Sequence, residues 1–331
     1  MAAPPDPLYS FKGNQTQVHS LNFLLNATTE KLLSGTRNGH IFIWDLQSLG
    51  LDRSFASGDG ACISLLAPQG SSAFVSHNRG DAVKKWSVVD DGSLKCTAKL
   101  PTSCLQFCAA QLLQSPTTKD QFVVFPSGEA NCIQVDHFEQ GTVCRLQWPE
   151  KVGNIMYICE AGCGQILALF EAGDLLLWDM RNSKHQLSHK LDLGGDEENP
   201  TAAMCMAFSK EKLLGIVGTS DNNINLFSKN PDFKHLTSSA IKNSGINHMS
   251  LRADQKLLAA ACWDSKVRLF SLRGPESKTV LRPLAVLPTL VEDKSVSCTA
   301  FSDSPVVSLG NKTILAAAGE ACSVLMWDVY N

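Results

Sequence analysis

The chain has 331 residues, of which 44% are hydrophobic and 18% charged, and its formal net charge is −3. With a pI of about 6.2, this balance gives no bulk electrostatic attraction to nucleic acid or to an anionic membrane, so neither is expected as a partner. No targeting segment or long apolar run is present, and we therefore expect a cytoplasmic and nuclear protein. In that reducing setting the twelve cysteines are expected to act as small buried hydrophobes, with no metal and no cofactor.

A three-part pattern recurs along the chain: a short apolar run, a polar turn, and a run in which polar and apolar residues alternate. The pattern predicts a β-hairpin at each copy, because a buried strand is followed by a half-buried one. The clearest copy is LLAAACWDSKVRLFSL at 257–272. Other copies lie at 31–46, 72–88, 166–180, 213–227 and 314–329. A hairpin repeated at a near-fixed interval predicts a repeat architecture.

The third strand of six copies ends in an aromatic residue, which gives a landmark for measuring the repeat. With a seventh landmark placed near Val135 by alternation alone, successive landmarks are 42 to 57 residues apart. That spacing is typical of propeller blades of about 40–45 residues with insertions. We predict an all-β, single seven-bladed propeller over 1–331. Its blades are expected at 17–56, 60–98, 102–147, 153–192, 202–237, 245–288 and 295–329.

The ends of the chain predict how the ring closes. The chain finishes on a third strand, so blade seven lacks its fourth, and residues 8–11 are expected to supply it and to remove two exposed sheet edges. Residues 1–7 are predicted to form a disordered tail. Pro4, Pro5 and Pro7 forbid a helix there, which argues against coiling with a γ-type G-protein subunit. We expect a monomeric propeller.

The hairpins that end in Trp-Asp resemble WD40 repeats. More narrowly, PPDPLYSFKG at 4–13, VHSLNF at 18–23, LFEAGDLLLWDM at 169–180 and LLAAACWDSKVRLF at 257–270 resemble the G-protein β-subunit-like protein 1 and ASTRA-associated WD-repeat family. The resemblance implies a non-catalytic co-chaperone adaptor. Its implied partners are Triple-T complex components and phosphatidylinositol-3-kinase-related kinases, whose maturation bears on DNA-damage signalling. Most copies lack the Gly-His pair of the repeat consensus, so the buried Asp-His-Ser-Trp network should be incomplete in most blades.

Two other functional classes stay open beside the adaptor. Trp178, Asp179 and Arg181 form a W-D-x-R box of the kind by which WD40 substrate receptors engage a cullin-ligase adaptor. The box occurs once, and an arginine just after a strand is commonly a solvated turn residue. An enzyme is the third class. The chain lacks a nucleophile elbow, a phosphate-binding loop and a dinucleotide fingerprint, so we expect no catalytic residues.

Cysteine spacing offers a possible metal site. Cys104 with Cys108 and Cys159 with Cys163 form two C-x3-C pairs. On the predicted first strand 103–107, residues four apart would be separated by about 13 Å, too far to share one ion. Core cysteines are therefore expected.

The turns between second and third strands should meet at one end of the ring, around the central channel. Their charged residues are grouped by sign in different sectors of the ring. Blades one and two contribute Arg37 and Arg79. The other five contribute acidic residues: Glu129, Glu171, Asp221, Asp264 and Glu320. The loop 194–200, GGDEENP, should add Asp196, Glu197 and Glu198.

Trp263 is a large aromatic residue in a turn where a small polar one would serve. We hypothesise that it anchors a partner whose basic segment is selected by the acidic turns. The alternative is that these carboxylates only cap tight turns. At the opposite end of the ring, long connections are expected at 111–120, 273–283 and 302–312, either as mobile loops or as a docking patch.

Overall fold

The computed structural model describes residues 5–88, 93–114, 121–129, 131–162, 164–180, 182–195, 199–230, 232–243, 245–275 and 278–329. These residues form seven four-stranded antiparallel sheets arranged as the blades of a propeller. The predicted fold class is thereby confirmed. No helix in these ranges is both long and apolar enough to cross a membrane.

Each blade is built in chain order from the channel outward, and the first strands of neighbouring blades pack against one another. Blade one comprises β2 (Val18–Leu25), β3 (Glu30–Thr36), β4 (His40–Asp45) and β5 (Gly50–Ala56). Blade two comprises β6 (Cys62–Leu66), β7 (Ala73–Asn78), β8 (Ala82–Val88) and β9 (Leu94–Pro101). Blade three comprises β10 (Gln111–Gln114), β11 (Gln121–Pro126), β12 (Cys132–His137) and β13 (Gly141–Gln147).

The remaining blades repeat the same order. Blade four comprises β14 (Ile155–Gly162), β15 (Gln165–Phe170), β16 (Asp174–Asp179) and β17 (Asn182–Lys190). Blade five comprises β18 (Ala203–Ser209), β19 (Leu214–Thr219), β20 (Asn223–Ser228) and β21 (Lys234–Ala240). Blade six comprises β22 (Ile246–Leu251), β23 (Leu257–Cys262), β24 (Lys266–Arg273) and β25 (Val280–Pro288). Blade seven contains β26 (Val296–Phe301), β27 (Ile314–Gly319) and β28 (Ser323–Asp328).

The ring closes as predicted. Strand β1 (Tyr9–Lys12) pairs antiparallel with β28, with Tyr9 opposite Met326 and Lys12 opposite Ser323, and becomes the fourth strand of blade seven. Phe11 of β1 is buried and stacks on Trp44 with ring centroids 5.0 Å apart, which joins blade seven to blade one. Closure stabilises the fold because it pairs a strand edge that would otherwise be open. Of the predicted tail, residues 1–4 lie outside the described ranges, and residues 5–7 form no strand.

Blade three differs from the prediction. Its first strand is Gln111–Gln114 rather than 103–107, and residues 102–110 form an irregular segment. Alternation in 103–107 was misleading, because Leu105 and Phe107 both point outward and are 68% and 69% exposed. The prediction of a long connection at 111–120 is therefore wrong for residues 111–114, which form this strand. Its remainder, 115–120, lies outside the described residues.

Packing between blades uses the apolar residues of the hairpins. Second strands are the most deeply buried, since all six residues of β23 and of β27 are buried. These strands have apolar neighbours on both faces, which is why they appear in the sequence as continuous apolar runs rather than as alternating ones. The small residues Ala259, Ala260 and Ala261 let adjacent sheets approach closely.

Candidate protein-binding surface

The seven turns between second and third strands lie at one end of the ring, here called the top face. A central channel of about 1230 Å³ is lined by the first strands and by the residues that precede them. Three of the predicted site residues border this channel, namely Glu129, Glu171 and Glu320. The turn residues Arg37, Arg79, Asp221, Trp263 and Asp264 are not among the residues that line it. The top face thus combines an open central cavity with a rim of short turns.

Trp263 is held in one orientation although it is 41% exposed. Its indole Nε1 donates to Asn247 Oδ1 at 2.6 Å, and its backbone N–H donates to the carbonyl of Gly245 at 3.1 Å. The ring lies directly on Gly245, where an added Cβ would come within 1.9 Å of the indole. Gly245 also has a φ of +87°, so a glycine is required there on two grounds. An exposed and pre-ordered aromatic side chain loses little entropy on binding a partner.

The carboxylate of Asp264, beside Trp263, is bound by two neighbouring side chains. Its two carboxylate oxygens accept from Arg268 Nη1 and Nη2 at 2.7 and 2.6 Å, and Oδ2 also accepts from Asn243 Nδ2 at 2.6 Å. Arg268 is 6% exposed. Burial acts to raise the pKa of Asp264, but the hydrogen bonds and charge of Arg268 outweigh it and lower that pKa overall. Asp264 therefore stays ionised, with its charge neutralised inside the blade.

The other predicted carboxylates also have partners within the protein. Glu171 Oε2 accepts from Asn154 Nδ2 at 3.0 Å, and Asp221 Oδ1 accepts from the N–H of Asn222 at 2.6 Å. Glu320 Oε2 accepts from the N–H of Ser295 at 3.3 Å. Glu129 forms an exposed ion pair with Arg145 at 3.3 Å. The bonds of Glu171, Asp221 and Glu320 come from neutral donors, as in turn caps, and leave the carboxylate charge in place. The ion pair of Glu129 does reduce the negative field that the hypothesis of an acidic rim requires.

Arg37 and Arg79 lie on the turns of blades one and two. Arg79 Nε donates to the carbonyl of Leu105 at 2.7 Å, and its guanidinium lies 4.3 Å from the ring centroid of Phe107. Burial lowers the pKa of His19, and the positive charges of Arg37 and Arg79 lower it further. The two arginines therefore act on the same part of the channel mouth. The predicted residues Asp196, Glu197 and Glu198 lie outside the described ranges.

The W-D-x-R box is described only in part. Trp178 is fully buried, Asp179 is 3% exposed, and Arg181 lies outside the described residues. Trp178 faces Ile166 of the second strand, so it is a core residue of blade four. The first two residues of the box therefore present almost no surface to a partner.

The cysteines offer no metal site in the described part of the chain. Cys104 and Cys108 lie on the irregular segment rather than on a strand, so the strand-distance argument was wrong for them, and both are buried. Burial raises the pKa of Cys108 well above its usual value. Cys163 lies outside the described residues. Within the described ranges, no three His, Cys, Asp or Glu side chains form a group suited to a metal ion.

Sequence reasoning missed the residues that hold these groups in place. Asn247, Gly245 and Arg268 orient Trp263 and Asp264. Of these three contacts, only the ion pair of Arg268 with Asp264 could have been predicted from the sequence, because the arginine follows the aspartate by four residues across a tight turn. Leu105 and Phe107 were missed because they were assigned to a strand.

Comparisons with known proteins agree with this architecture. The model for the WD domain, G-beta repeat, matches residues 5–45 and 233–271. The chain is 25% identical to guanine nucleotide-binding protein subunit beta-like protein 1 of Mus musculus, over 99% of this chain and 97% of that protein. It is 21% identical to ASTRA-associated protein 1 of Penicillium rubens, over 85% of this chain and 79% of that protein. For the Aspergillus niger protein of the same name the identity is 23%, over 84% of this chain and 78% of that protein. The chain therefore contains WD40 repeats and has homologues, at modest identity, named G-protein beta-like protein 1 and ASTRA-associated protein 1.

Proposed function

We propose that this protein is a non-catalytic co-chaperone adaptor that supports the maturation and stability of phosphatidylinositol-3-kinase-related kinases. The observation that carries the proposal is a similarity that extends over almost the whole length of both this chain and a G-protein beta-like protein 1. The similarity to ASTRA-associated proteins points the same way. On this proposal the direct partners are Triple-T components, and the protein acts in the cytoplasm and nucleus on DNA-damage signalling.

The propeller suits an adaptor because it presents many short turns on a large surface. We place the main contact on the top face, with Trp263 as the anchor. This residue is exposed and yet fixed by Asn247 and Gly245, as interface anchors commonly are. Because Asp264 and Glu129 are paired internally, Glu171, Asp221 and Glu320 carry most of the proposed selection for a basic partner segment.

Affinity purification of the tagged full chain, followed by mass spectrometry, tests the proposal. Recovery of Triple-T components and immature kinases is expected, and the same purification with the Trp263→Ala variant should recover less of them. A cullin-ligase adaptor in place of these proteins would favour the substrate-receptor function, which relies on Trp178, Asp179 and Arg181. Recovery of neither group would contradict both functions.

A further inference from the structure

The irregular segment 102–110 occupies the channel mouth where blade three would otherwise begin its first strand. It is fixed at several points. Thr102 N–H donates to the carbonyl of Asp81 at 2.8 Å, and Gly80 N–H donates to the carbonyl of Cys104 at 3.0 Å. At the other end, Ala110 N–H donates to Nδ1 of His77 at 3.1 Å. The segment is therefore an ordered part of the top face.

Two large apolar side chains project from this ordered segment into solvent. Leu105 and Phe107 are 68% and 69% exposed, and both border the central channel. Cys104 precedes this pair and Cys108 follows it, and both cysteines are buried. Exposed apolar side chains on a rigid segment are unfavourable in the free protein and are typical of a binding surface.

Positive charge accompanies this apolar pair. Arg79 contacts both residues, through its bond to the Leu105 carbonyl and its position over the Phe107 ring. Arg37 lies on the corresponding turn of the neighbouring blade one, where its N–H donates at 2.8 Å to the carbonyl of Gln17, a residue that borders the channel. We name Leu105, Phe107, Arg37 and Arg79 the Phe107 patch.

Carboxylates near the patch do not cancel this charge. Asp81 is bound by Lys84 at 2.6 Å and by Lys99 at 3.3 Å. Asp59 lies in the neighbouring loop and is exposed. Glu129 on the neighbouring turn of blade three is paired with Arg145 at 3.3 Å. Among the described residues of this sector, the five cationic side chains of Arg37, Arg79, Lys84, Lys99 and Arg145 thus outnumber the three carboxylates of Asp59, Asp81 and Glu129. The remaining balance is positive and favours an anionic ligand.

We propose that the Phe107 patch binds an extended peptide segment of a partner protein in which a large apolar residue is flanked by aspartate or glutamate. The apolar side chain would pack on Leu105 and Phe107, and the carboxylates would face Arg37 and Arg79. This site is separate from Trp263 and does not rest on the proposed co-chaperone function.

Selection of random short peptides displayed on phage against the immobilised full chain tests the proposal. The enriched peptides are expected to carry an aromatic or large aliphatic residue beside acidic ones. The strongest of them, synthesised with a fluorophore, is then titrated with the full chain and followed by fluorescence anisotropy. Phe107→Ser should weaken its binding about thirtyfold, as expected for loss of a hot-spot residue. Arg37→Glu should weaken binding and flatten its salt dependence.

Matched variants separate the patch from other surfaces. Val307→Ser removes an aliphatic side chain that is 71% exposed on the opposite end of the ring, and it should leave binding unchanged. Because Leu105 and Phe107 are outside the core, their variants should keep the thermal midpoint of the parent. A selection that yields no acidic peptides, or binding that survives the double substitution Leu105→Ser with Phe107→Ser, would overturn the proposal.

Discussion

The indole Nε1 of Trp44 donates a hydrogen bond to Ser34 Oγ at 2.9 Å. Ser34 lies two residues beyond Leu32, which is the cross-strand partner of Trp44. Blade two repeats the relationship, since Trp86 faces Phe74 and donates to Ser76 Oγ at 2.9 Å. In blades four and seven the equivalent positions are Ala168 and Ala317. There, Nε1 of Trp178 and of Trp327 is buried without a hydrogen-bond partner among the described residues.

This difference predicts opposite effects of two exchanges. Ser34→Ala should lower the free energy of unfolding by about 2 kcal/mol, because the buried indole N–H of Trp44 loses its acceptor and Oδ1 of Asn14 loses its donor. Ala168→Ser should raise it by about 1 kcal/mol, because it supplies Trp178 with an acceptor. Urea denaturation of both variants measures the changes. A destabilised Ala168→Ser variant would show that blade four has no room for the hydroxyl group or that Trp178 is already satisfied.

The buried pair of Arg268 and Asp264 makes a second prediction. Arg268→Met should lower the free energy of unfolding by about 3 kcal/mol, because it leaves the Asp264 carboxylate half-enclosed and unpaired. The double variant Arg268→Met with Asp264→Asn should recover most of that loss, since no buried charge remains. Equal stability of the single and double variants in thermal denaturation would argue against this account.

The loss of stability on acidification should involve His77. Burial lowers the pKa of this histidine to about 4, and its Nδ1 accepts the N–H of Ala110, which fixes the neutral ring. In the unfolded chain the pKa of this histidine is about 6.5. Between pH 6.5 and 4 the unfolded state therefore binds more protons than the folded state, and the free energy of unfolding falls as the pH falls. At pH 4 the loss should be on the order of 3 kcal/mol. His77→Asn keeps an acceptor but does not titrate, so its unfolding free energy should depend less steeply on pH in this window. An unchanged slope would mean that His77 is protonated in the folded protein.

Partner binding should depend on Trp263. Trp263→Ala is expected to cost about 2 kcal/mol or more of binding free energy, as measured by calorimetry with the purified partner. Glu171→Lys, which reverses an exposed charge at the channel mouth, should mainly slow association and reduce its salt dependence. If both variants fold and bind as the parent does, the top-face hypothesis around Trp263 is wrong.

Arg181→Ala should leave partner binding intact. Trp178 and Asp179 are buried, so the box offers a partner little beyond the arginine itself. Quantitative mass spectrometry of material purified with the variant and with the parent provides the measurement. Loss of a co-purifying cullin-ligase adaptor in the variant would instead favour the substrate-receptor function.

The sequence by itself determined the hairpins, their number and the closure of the ring. These features depend on local patterns, because a short apolar run, a turn and an alternating run specify a strand pair whatever surrounds them. The unpaired third strand at 323–328 and the apolar residues near 8–11 were enough to predict that the two ends meet. The missing Gly-His pairs predicted incomplete networks but did not identify the blades, since blades one and two keep the Trp-Ser bond and Ala168 and Ala317 remove it from blades four and seven.

Only the tertiary structure decided which side chains of the top face are free. Asp264 forms an ion pair with Arg268. Trp263 is fixed by Gly245 of the preceding loop and by Asn247 of β22. The segment 102–110 has the composition of an inner strand, yet its hydrogen bonds go to Gly80, Asp81 and His77 of blade two, and Phe107 is left in solvent. Such outcomes depend on contacts between residues remote in sequence, and alternation along one strand contains no information about those contacts.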